Sequence, residues 1–220
     1  MIVLDIESSG IENSKCGIWQ IGAIELENPE NQFLEEARID DEDMVEEGAM
    51  KITGKTEADM RDPNKQSQKQ MILNFLKWAK ECKIKIATGQ NIGWDFTFLQ
   101  NKCMRYGIHE KLKKTLGYKG LDTYTIGQMK HLEKKGEFSL KKDGRGDMGL
   151  HKVLEFCGME DNRMHLDGLK VEKKGTPHNA LEDAKLTAEC FYRLIYGKNL
   201  FPEYAKFPVP EVLRKFSFFL

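Results

Sequence analysis

The chain has 220 residues with 34 basic and 35 acidic side chains, so its formal net charge is −1. This balance excludes a protein that attracts nucleic acid through its overall charge, although a local basic patch can still do so. Apolar residues make up 40% and charged residues 31%, which is typical of soluble globular proteins. No apolar run approaches the roughly 18 residues of a membrane helix, and no signal peptide is visible. We therefore expect a cytoplasmic protein.

The cysteines favour a reducing compartment over a disulfide or zinc framework. Their number is odd, and no Cys-x-x-Cys pair occurs. We expect reduced thiols, mostly packed in the core. They are Cys16, Cys82, Cys103, Cys157 and Cys190.

The first half of the chain predicts strands and one amphipathic helix. The opening stretch, MIVLDIESSG, has apolar residues on both faces of a strand, which indicates a strand covered on both sides. Turn residues at 28–31 predict an antiparallel hairpin between the next two strands. The later predicted elements are strands over 18–27 and 32–40, a helix over 67–81 and a strand over 83–89.

The second half predicts mostly helices, and the simplest account is one α/β domain with a mixed sheet flanked by helices. This domain is expected over 1–196, with a proline-marked tail over 197–220 packed on it. The predicted elements are a helix over 95–106, a short strand ending near Asp122 and followed by a helix, a basic loop over 134–149, a helix closed by Gly158 and a last helix over 179–196.

Asp5 and Glu7 raise the question of what neutralises them. Side chains alternate along a strand, so both carboxylates lie on the face of Val3. If that face is buried, the carboxylates repel each other and each loses hydration. The alternative is an exposed edge strand with two solvated acids.

Two more acids are predicted to face inward. Asp95 lies on the apolar stripe of its predicted helix, just after a strand, although an Asp at this place also suits an N-cap. Asp183 lies on the buried stripe of the last predicted helix, whereas Glu182 and Glu189 are expected to face solvent. His178 precedes this helix, either as an ordinary surface residue or as a neighbour of the inward Asp183.

Four acids on core-facing elements have one economical explanation, which is that they converge on divalent metal. Ligand sets made only of oxygen suit Mg²⁺ or Mn²⁺. Two such ions about 3.5–4 Å apart can clamp the attacking and leaving oxygens of a phosphodiester. His178, on the neighbouring loop, could then take the proton of the attacking water.

Three motifs in this order resemble the histidine-containing DEDD family of 3′–5′ exonucleases, which has the ribonuclease H-like fold. The family's Asp-x-Glu motif is matched by LDIESSG, its second motif by GQNIGWDFTFL, and its His-x-Ala-x-x-Asp-Ala motif by HNALEDA. KITGKT at 51–56 and LDT at 121–123 also fit the family pattern. The match extends from residue 2 to about 196, and the family includes the proofreading subunit of bacterial DNA polymerase III and ribonuclease T.

The resemblance implies a two-metal exonuclease that releases nucleoside 5′-monophosphates from the 3′ end of single-stranded DNA or RNA. Asp5, Glu7 and Asp183 would hold the metal that carries the nucleophilic water. Asp5 and Asp95 would contact the second metal, and His178 would be the general base. A polymerase or a second copy of the chain are candidate partners, and no membrane is expected.

The chain departs from the family pattern at a few positions. Gln90 replaces a common His, and Gln20 stands where relatives often carry Glu. Two serines replace a frequent Thr-Thr or Thr-Gly pair after Glu7, which could alter the preference between DNA and RNA. Substrate contacts are expected from Ser8, Ser9, Ile11, Lys51, Thr53, Asn91, Lys141, Lys142 and Arg145.

Two other interpretations stay open. A catalytically inactive nucleic-acid-binding module could keep the same fold, but it would more naturally lose a metal ligand, and here all five positions are filled. An endonuclease of the ribonuclease H type would not need the spacing between His178 and Asp183. The basic loop over 134–149 has its own alternative, which is an ordinary solvated loop.

Overall fold

A five-stranded mixed sheet with helices on both faces forms the centre of the protein, as a computed structural model of residues 1–214 shows. The strands are β1 (Ile2–Ser8), β2 (Ile18–Glu25), β3 (Gln32–Glu36), β4 (Ala87–Gly89), β5 (Gly120–Asp122), β6 (His165–Asp167) and β7 (Lys170–Lys173). The helices are α1 (Glu47–Thr53), α2 (Glu57–Met60), α3 (Gln68–Glu81), α4 (Ile92–Arg105), α5 (His109–Thr115), α6 (Thr123–Lys135), α7 (Leu150–Phe156) and α8 (Ala180–Tyr196). None of these helices is long and apolar enough to cross a membrane.

The strand order β3-β2-β1-β4-β5 puts β1 at the centre of the sheet. β1 is antiparallel to β2 and parallel to β4, so the sheet is mixed, as predicted. The alternative of an exposed edge strand for β1 is therefore wrong. Outside the sheet, β6 and β7 form a separate antiparallel hairpin. The apolar end of the predicted tail, 215–220, lies outside the described residues.

Two predicted strands are shorter in the structure. The strand predicted over 83–89 forms only as β4, because its neighbour β1 begins at Ile2, which pairs with Ala87. The strand predicted over 32–40 ends at Glu36, where the ladder to β2 stops. In both segments the alternating pattern continues beyond the residues that find a partner strand.

The helix predicted over 95–106 begins earlier than expected. α4 starts at Ile92, and Asn91 precedes it in the left-handed conformation with φ 57°. The amide of Asn91 donates to the Asp122 carboxylate at 3.0 Å, which ties the turn to the end of β5. Asp95 is therefore inside the first turn, and its interpretation as the N-cap is wrong.

The side chains of β1 divide between two cores. Ile2, Leu4 and Ile6 pack with residues of α3 and α4, whereas Val3 packs with residues of α8. The two acids of β1 share the face of Val3 and so point toward α8. The cysteines are buried free thiols, as predicted.

A glycine in β2 lets α8 lie directly on the sheet. A Cβ at Gly22 would be 2.2 Å from the amide nitrogen of Leu181, so only glycine permits this approach. The Ala180 amide donates to the side-chain oxygen of Gln20 at 2.8 Å and fixes the helix start. Because Gly22 pairs with Asp5, the first turn of α8 lies beside Asp5.

The expected exposure of Glu189 is wrong. Its side chain is fully buried and accepts from the Arg193 guanidinium at 2.7 Å. Its second oxygen accepts from the amides of Leu200 and Phe201, each at 2.9 Å. This carboxylate therefore holds the segment that follows α8 against the helix.

Some elements had no counterpart among the predictions. They are α1, α2, α5 and the β6–β7 hairpin, and each element among them has seven residues or fewer. Such lengths are too short for a hydrophobic period to identify. The hairpin matters most, because it lies beside the predicted acids.

Candidate active site

Three separate elements bring the predicted acids and histidine together. β1 supplies Asp5 and Glu7, and α4 supplies Asp95. α8 supplies Asp183, and His178 lies two residues before this helix begins. One ligand atom each of Glu7, His178 and Asp183 lies within 4.8 Å of the others. The aspartates on α4 and α8 are 3% and 4% exposed, so water screens this cluster poorly.

The first turn of α4 is tied to the end of β1 through Asp95. Its Oδ1 accepts the Ile6 amide at 3.1 Å. This bond fixes the carboxylate beside the β1 residue that lies between Asp5 and Glu7. The geometry follows from the parallel pairing of β1 with β4, because α4 starts where β4 ends.

The carboxylates are held at high electrostatic cost. Loss of hydration, followed by the charges of Asp183, Asp95 and Glu7, raises the pKa of Asp5 well above its ordinary value. Burial and the charges of Asp183 and Asp95 likewise raise the pKa of Glu7. Burial raises the pKa of Asp95 to about 8. A cluster with these properties favours either bound protons or bound cations.

Arg163 partly neutralises the cluster, and no sequence pattern predicted it. Its guanidinium donates to Asp183 Oδ2 at 3.0 Å. The residue as a whole is only 8% exposed. On its other side the guanidinium donates two hydrogen bonds to the carboxylate of Asp161, at 3.0 and 2.9 Å. The arginine beside it holds the pKa of Asp161 at about 2, although burial opposes this. No motif or period marks Arg163, so no sequence signal could have found it.

His178 faces the cluster through one ring nitrogen. Its Nδ1 lies 3.3 Å from Asp183 Oδ2, and its Nε2 lies 3.0 Å from the Met164 carbonyl oxygen. A carbonyl oxygen only accepts, so we assign the proton of the neutral ring to Nε2. Burial lowers the pKa of His178, against the opposing effect of Asp183. Nδ1 is then the nitrogen that can accept a proton.

The donor set fits divalent metal of the oxygen-preferring kind. The carboxylates supply oxygen ligands, and such sets suit Mg²⁺ or Mn²⁺. Asp183 Oδ1 is buried, and no donor among residues 1–214 reaches it, so this oxygen is left for a further ligand. An unsatisfied buried carboxylate oxygen in the middle of an acid cluster is consistent with a cation as that ligand.

A cavity of about 270 Å³ adjoins Glu7. Three of the residues predicted to contact substrate line it, together with Trp94 and the β6–β7 hairpin, which the sequence did not predict. The residues concerned are Ser8, Ile11 and Thr53 from the prediction and Leu166 and Gly168 from the hairpin. The cavity is mixed in character, because the carboxyl side chains of Glu7 and Glu46 line it together with apolar side chains.

Other predicted substrate residues do not line this cavity. Ser9 is fully buried, and its hydroxyl donates to the Met44 carbonyl and accepts the Gly17 amide, so its side chain is already engaged. Lys51 donates to the carbonyl of Leu169 at 3.1 Å and supports the hairpin.

The last four residues predicted to contact substrate are exposed. Asn91 is exposed where it precedes α4. Lys141 and Lys142 are exposed on the basic loop, and Arg145 pairs with Asp143 at 2.6 Å. Their contacts with substrate stay predictions.

Comparisons with known proteins agree with the motifs. The exonuclease family model RNase_T matches residues 2–191. The DNA polymerase III PolC-type of Caldanaerobacter subterraneus subsp. tengcongensis is 24% identical over 194 residues, which cover 88% of this chain and 11% of that protein.

Solved structures of exonuclease I share the fold. A product-bound exonuclease I has a TM-score of 0.64 at 17% identity, covering 88% of this chain and 42% of that one. E. coli exonuclease I in complex with a dT13 oligonucleotide has a TM-score of 0.63 at 16% identity, covering 87% and 40%. The chain thus spans less than half the length of these relatives, and the predicted ribonuclease H-like fold is confirmed. Because the family model matches nearly the whole chain, the protein belongs to the RNase T exonuclease family.

Proposed function

We propose that this nuclease is a 3′–5′ exonuclease that hydrolyses single-stranded nucleic acid to nucleoside 5′-monophosphates. The observation that carries the proposal is the close group of Glu7, His178 and Asp183, with Asp5 and Asp95 within electrostatic reach of its carboxylates. Acids whose pKa values are raised by burial and by one another's charge are typical of catalytic sites, which favours an enzyme over a binding module. The proposal covers residues 1–196 as the catalytic unit.

Asp5, Glu7, Asp95 and Asp183 would hold two divalent ions, Mg²⁺ or Mn²⁺. When bound, such ions supply positive charge that offsets the carboxylates and stabilises charge developing on the phosphodiester oxygens. The protein's own part is to fix the four carboxylates in one place and to keep bulk water from screening them. Asp183 Oδ1, buried without a donor among the described residues, is the oxygen most clearly available.

His178 would act as the general base through Nδ1. The Met164 carbonyl holds the proton on Nε2 and so keeps Nδ1 free to accept. Burial lowers the pKa of His178, which keeps the ring neutral over more of the pH range in which the enzyme operates. A positioned base of this kind typically contributes about 10²–10⁴-fold to the rate.

The relatives support the substrate class. Exonuclease I has been solved with product and with dT13 and dA16 oligonucleotides. The cavity beside Glu7 has room for part of one terminal nucleotide, and the apolar side chains in its lining could contact a base or sugar. Single-stranded 3′ ends are therefore the substrate we propose, in DNA or RNA.

Cleavage of a 5′-labelled single-stranded oligonucleotide tests the proposal. With Mg²⁺ or Mn²⁺ we expect a ladder that shortens by one nucleotide at a time. His178→Ala should slow single-turnover cleavage by about 10²–10⁴-fold while metal and oligonucleotide affinity hold. His109→Ala is the matched control, because this half-buried histidine stacks on Tyr118 and lies outside the proposed site.

Other results would indicate a different function for the protein or a different role for His178. Internal fragments without a ladder would indicate an endonuclease, and tight binding without cleavage would indicate an inactive module. A His178→Ala rate within a few-fold of wild type would remove this residue as the base. Loss of metal affinity in that variant would instead make His178 a ligand or a structural residue.

A further inference from the structure

A groove of about 550 Å³ lies between α3 and α5. It reaches Lys85, which precedes β4, whereas Asp95 follows the end of that strand. The groove is therefore at the opposite end of the parallel strands from the acid cluster. Nothing in the proposed reaction uses it.

The groove concentrates positive charge in a chain whose net charge is −1. Five exposed lysines line it, and no acidic residue of the described part of the chain does. Within residues 1–214 none of the five lies within 4.0 Å of a carboxylate, whereas Lys130 and Lys134 on α6 both pair with Glu133. The five are Lys77, Lys80, Lys85, Lys111 and Lys114.

The lysines come from both helices, and the apolar part of the lining is aliphatic. Lys77 and Lys80 on α3 are three residues apart, as are Lys111 and Lys114 on α5, so each pair shares one helix face. Leucine side chains at 73 and 76 on α3 form the apolar part of the lining. The groove thus presents apolar surface bordered on two sides by ammonium groups.

We propose that this groove binds an acidic segment of a partner protein whose apolar side chains rest on Leu73 and Leu76. Carboxylates of the segment would meet the lysines on both walls, which gives charge complementarity across the whole groove. Apolar side chains of the segment that contact these two leucines would make the binding specific, as in other grooves that receive an amphipathic segment.

A nucleic-acid strand fits the groove less well. Single strands are held by cations together with aromatic rings on which the bases stack. Among residues 1–214 no aromatic residue lines this groove, and the apolar residues that line it are leucines. The ammonium groups alone would bind a strand weakly and without regard to its sequence.

A designed peptide of about twelve residues tests the proposal. It carries Leu at positions i, i+3, i+4 and i+7 and Asp or Glu elsewhere, with a fluorescent label. Fluorescence anisotropy is measured on the full chain and on a variant with Lys77, Lys80, Lys111 and Lys114 changed to Gln. The matched control changes four other exposed lysines without ion pairs, Lys69, Lys119, Lys174 and Lys198, to Gln.

We expect saturable binding that the groove variant weakens by about tenfold or more and the control variant by less than about twofold, because exposed charge pairs each contribute a few-fold. A peptide with its leucines replaced by serine should bind at least about tenfold more weakly. Equal weakening in the two variants, or equal binding of the serine peptide, would overturn the proposal by showing attraction through net charge alone.

A second measurement separates this surface from the nuclease site. Oligonucleotide affinity and cleavage by the groove variant should stay within about twofold of wild type. If an unlabelled poly-dT oligonucleotide displaces the peptide, and the groove variant loses oligonucleotide affinity in parallel, the surface holds nucleic acid and the proposal is wrong.

Discussion

Changing Asp95 to Asn tests whether the acids form a buried cluster. Asn keeps an oxygen that can accept the Ile6 amide, which Asp95 Oδ1 now accepts at 3.1 Å. The substitution removes the charge without adding volume or breaking the link between α4 and β1. Any change in stability therefore reports the electrostatic cost of the carboxylate.

The sign of the effect follows from the raised pKa. Burial raises the pKa of Asp95 from 3.8 to about 8, so the folded protein keeps a proton that the unfolded chain releases. The proton that Asp95 binds in the folded state therefore stabilises the fold fully below about pH 4, and this contribution is lost as the pH rises through about 8. The difference corresponds to at most about 6 kcal/mol of unfolding free energy for an isolated group. Neighbouring acids share the protons, so we expect about 2 kcal/mol or more for this substitution.

The assay is urea unfolding of metal-free protein in EDTA between about pH 5 and 8. Wild type should lose stability as the pH rises, whereas Asp95→Asn should lose less and be the more stable protein at pH 8. A thermal melt at pH 8 should show the variant unfolding about 4–8 °C higher. Mn²⁺ should restore stability to wild type, since it binds only the folded state. Glu182→Gln, an exposed acid on the first turn of α8, is the control and should follow wild type. Equal pH slopes for wild type and Asp95→Asn would refute the buried cluster.

Three further outcomes follow from the structure. Asp5→Asn should lower single-turnover cleavage by about 10³-fold or more, with folding checked by circular dichroism, because it removes a carboxylate proposed to hold both ions. Changing Lys141, Lys142 and Arg145 to Gln should reduce the slope of log affinity against log salt by about 0.7 for each phosphate that the loop no longer neutralises, measured with single-stranded oligonucleotides. An unchanged slope would make the loop an ordinary solvated one. Arg193→Met should lower the free energy of unfolding in urea by about 3–5 kcal/mol, because it leaves the buried carboxylate of Glu189 without its cation.

The side-chain placements that the structure confirms for the predicted acids follow from regular patterns. Asp5 and Glu7 could be assigned to one face because a strand alternates, and Asp183 could be assigned to the buried stripe because a helix repeats. The close approach of α8 at Gly22 could not be predicted, since it depends on which strand the helix crosses. Glu189 was misjudged for a similar reason, because two of its three hydrogen-bond donors, the amides of Leu200 and Phe201, come from the segment after α8 and not from the pattern of the helix.

The segment between α7 and α8 shows where sequence reasoning reaches its limit at the site. Its hairpin lines the cavity beside Glu7, and its Arg163 contacts Asp183, yet neither has a period, cap or motif to mark it. One guanidinium does not balance the cluster, because the pKa of Asp5 is raised well above its ordinary value even with Arg163 lowering it. Local rules for burying charge are thus violated here and only partly compensated within the described chain, and such violations are typical of functional sites. The acids are consistent with a fold whose site is completed by cations from solution.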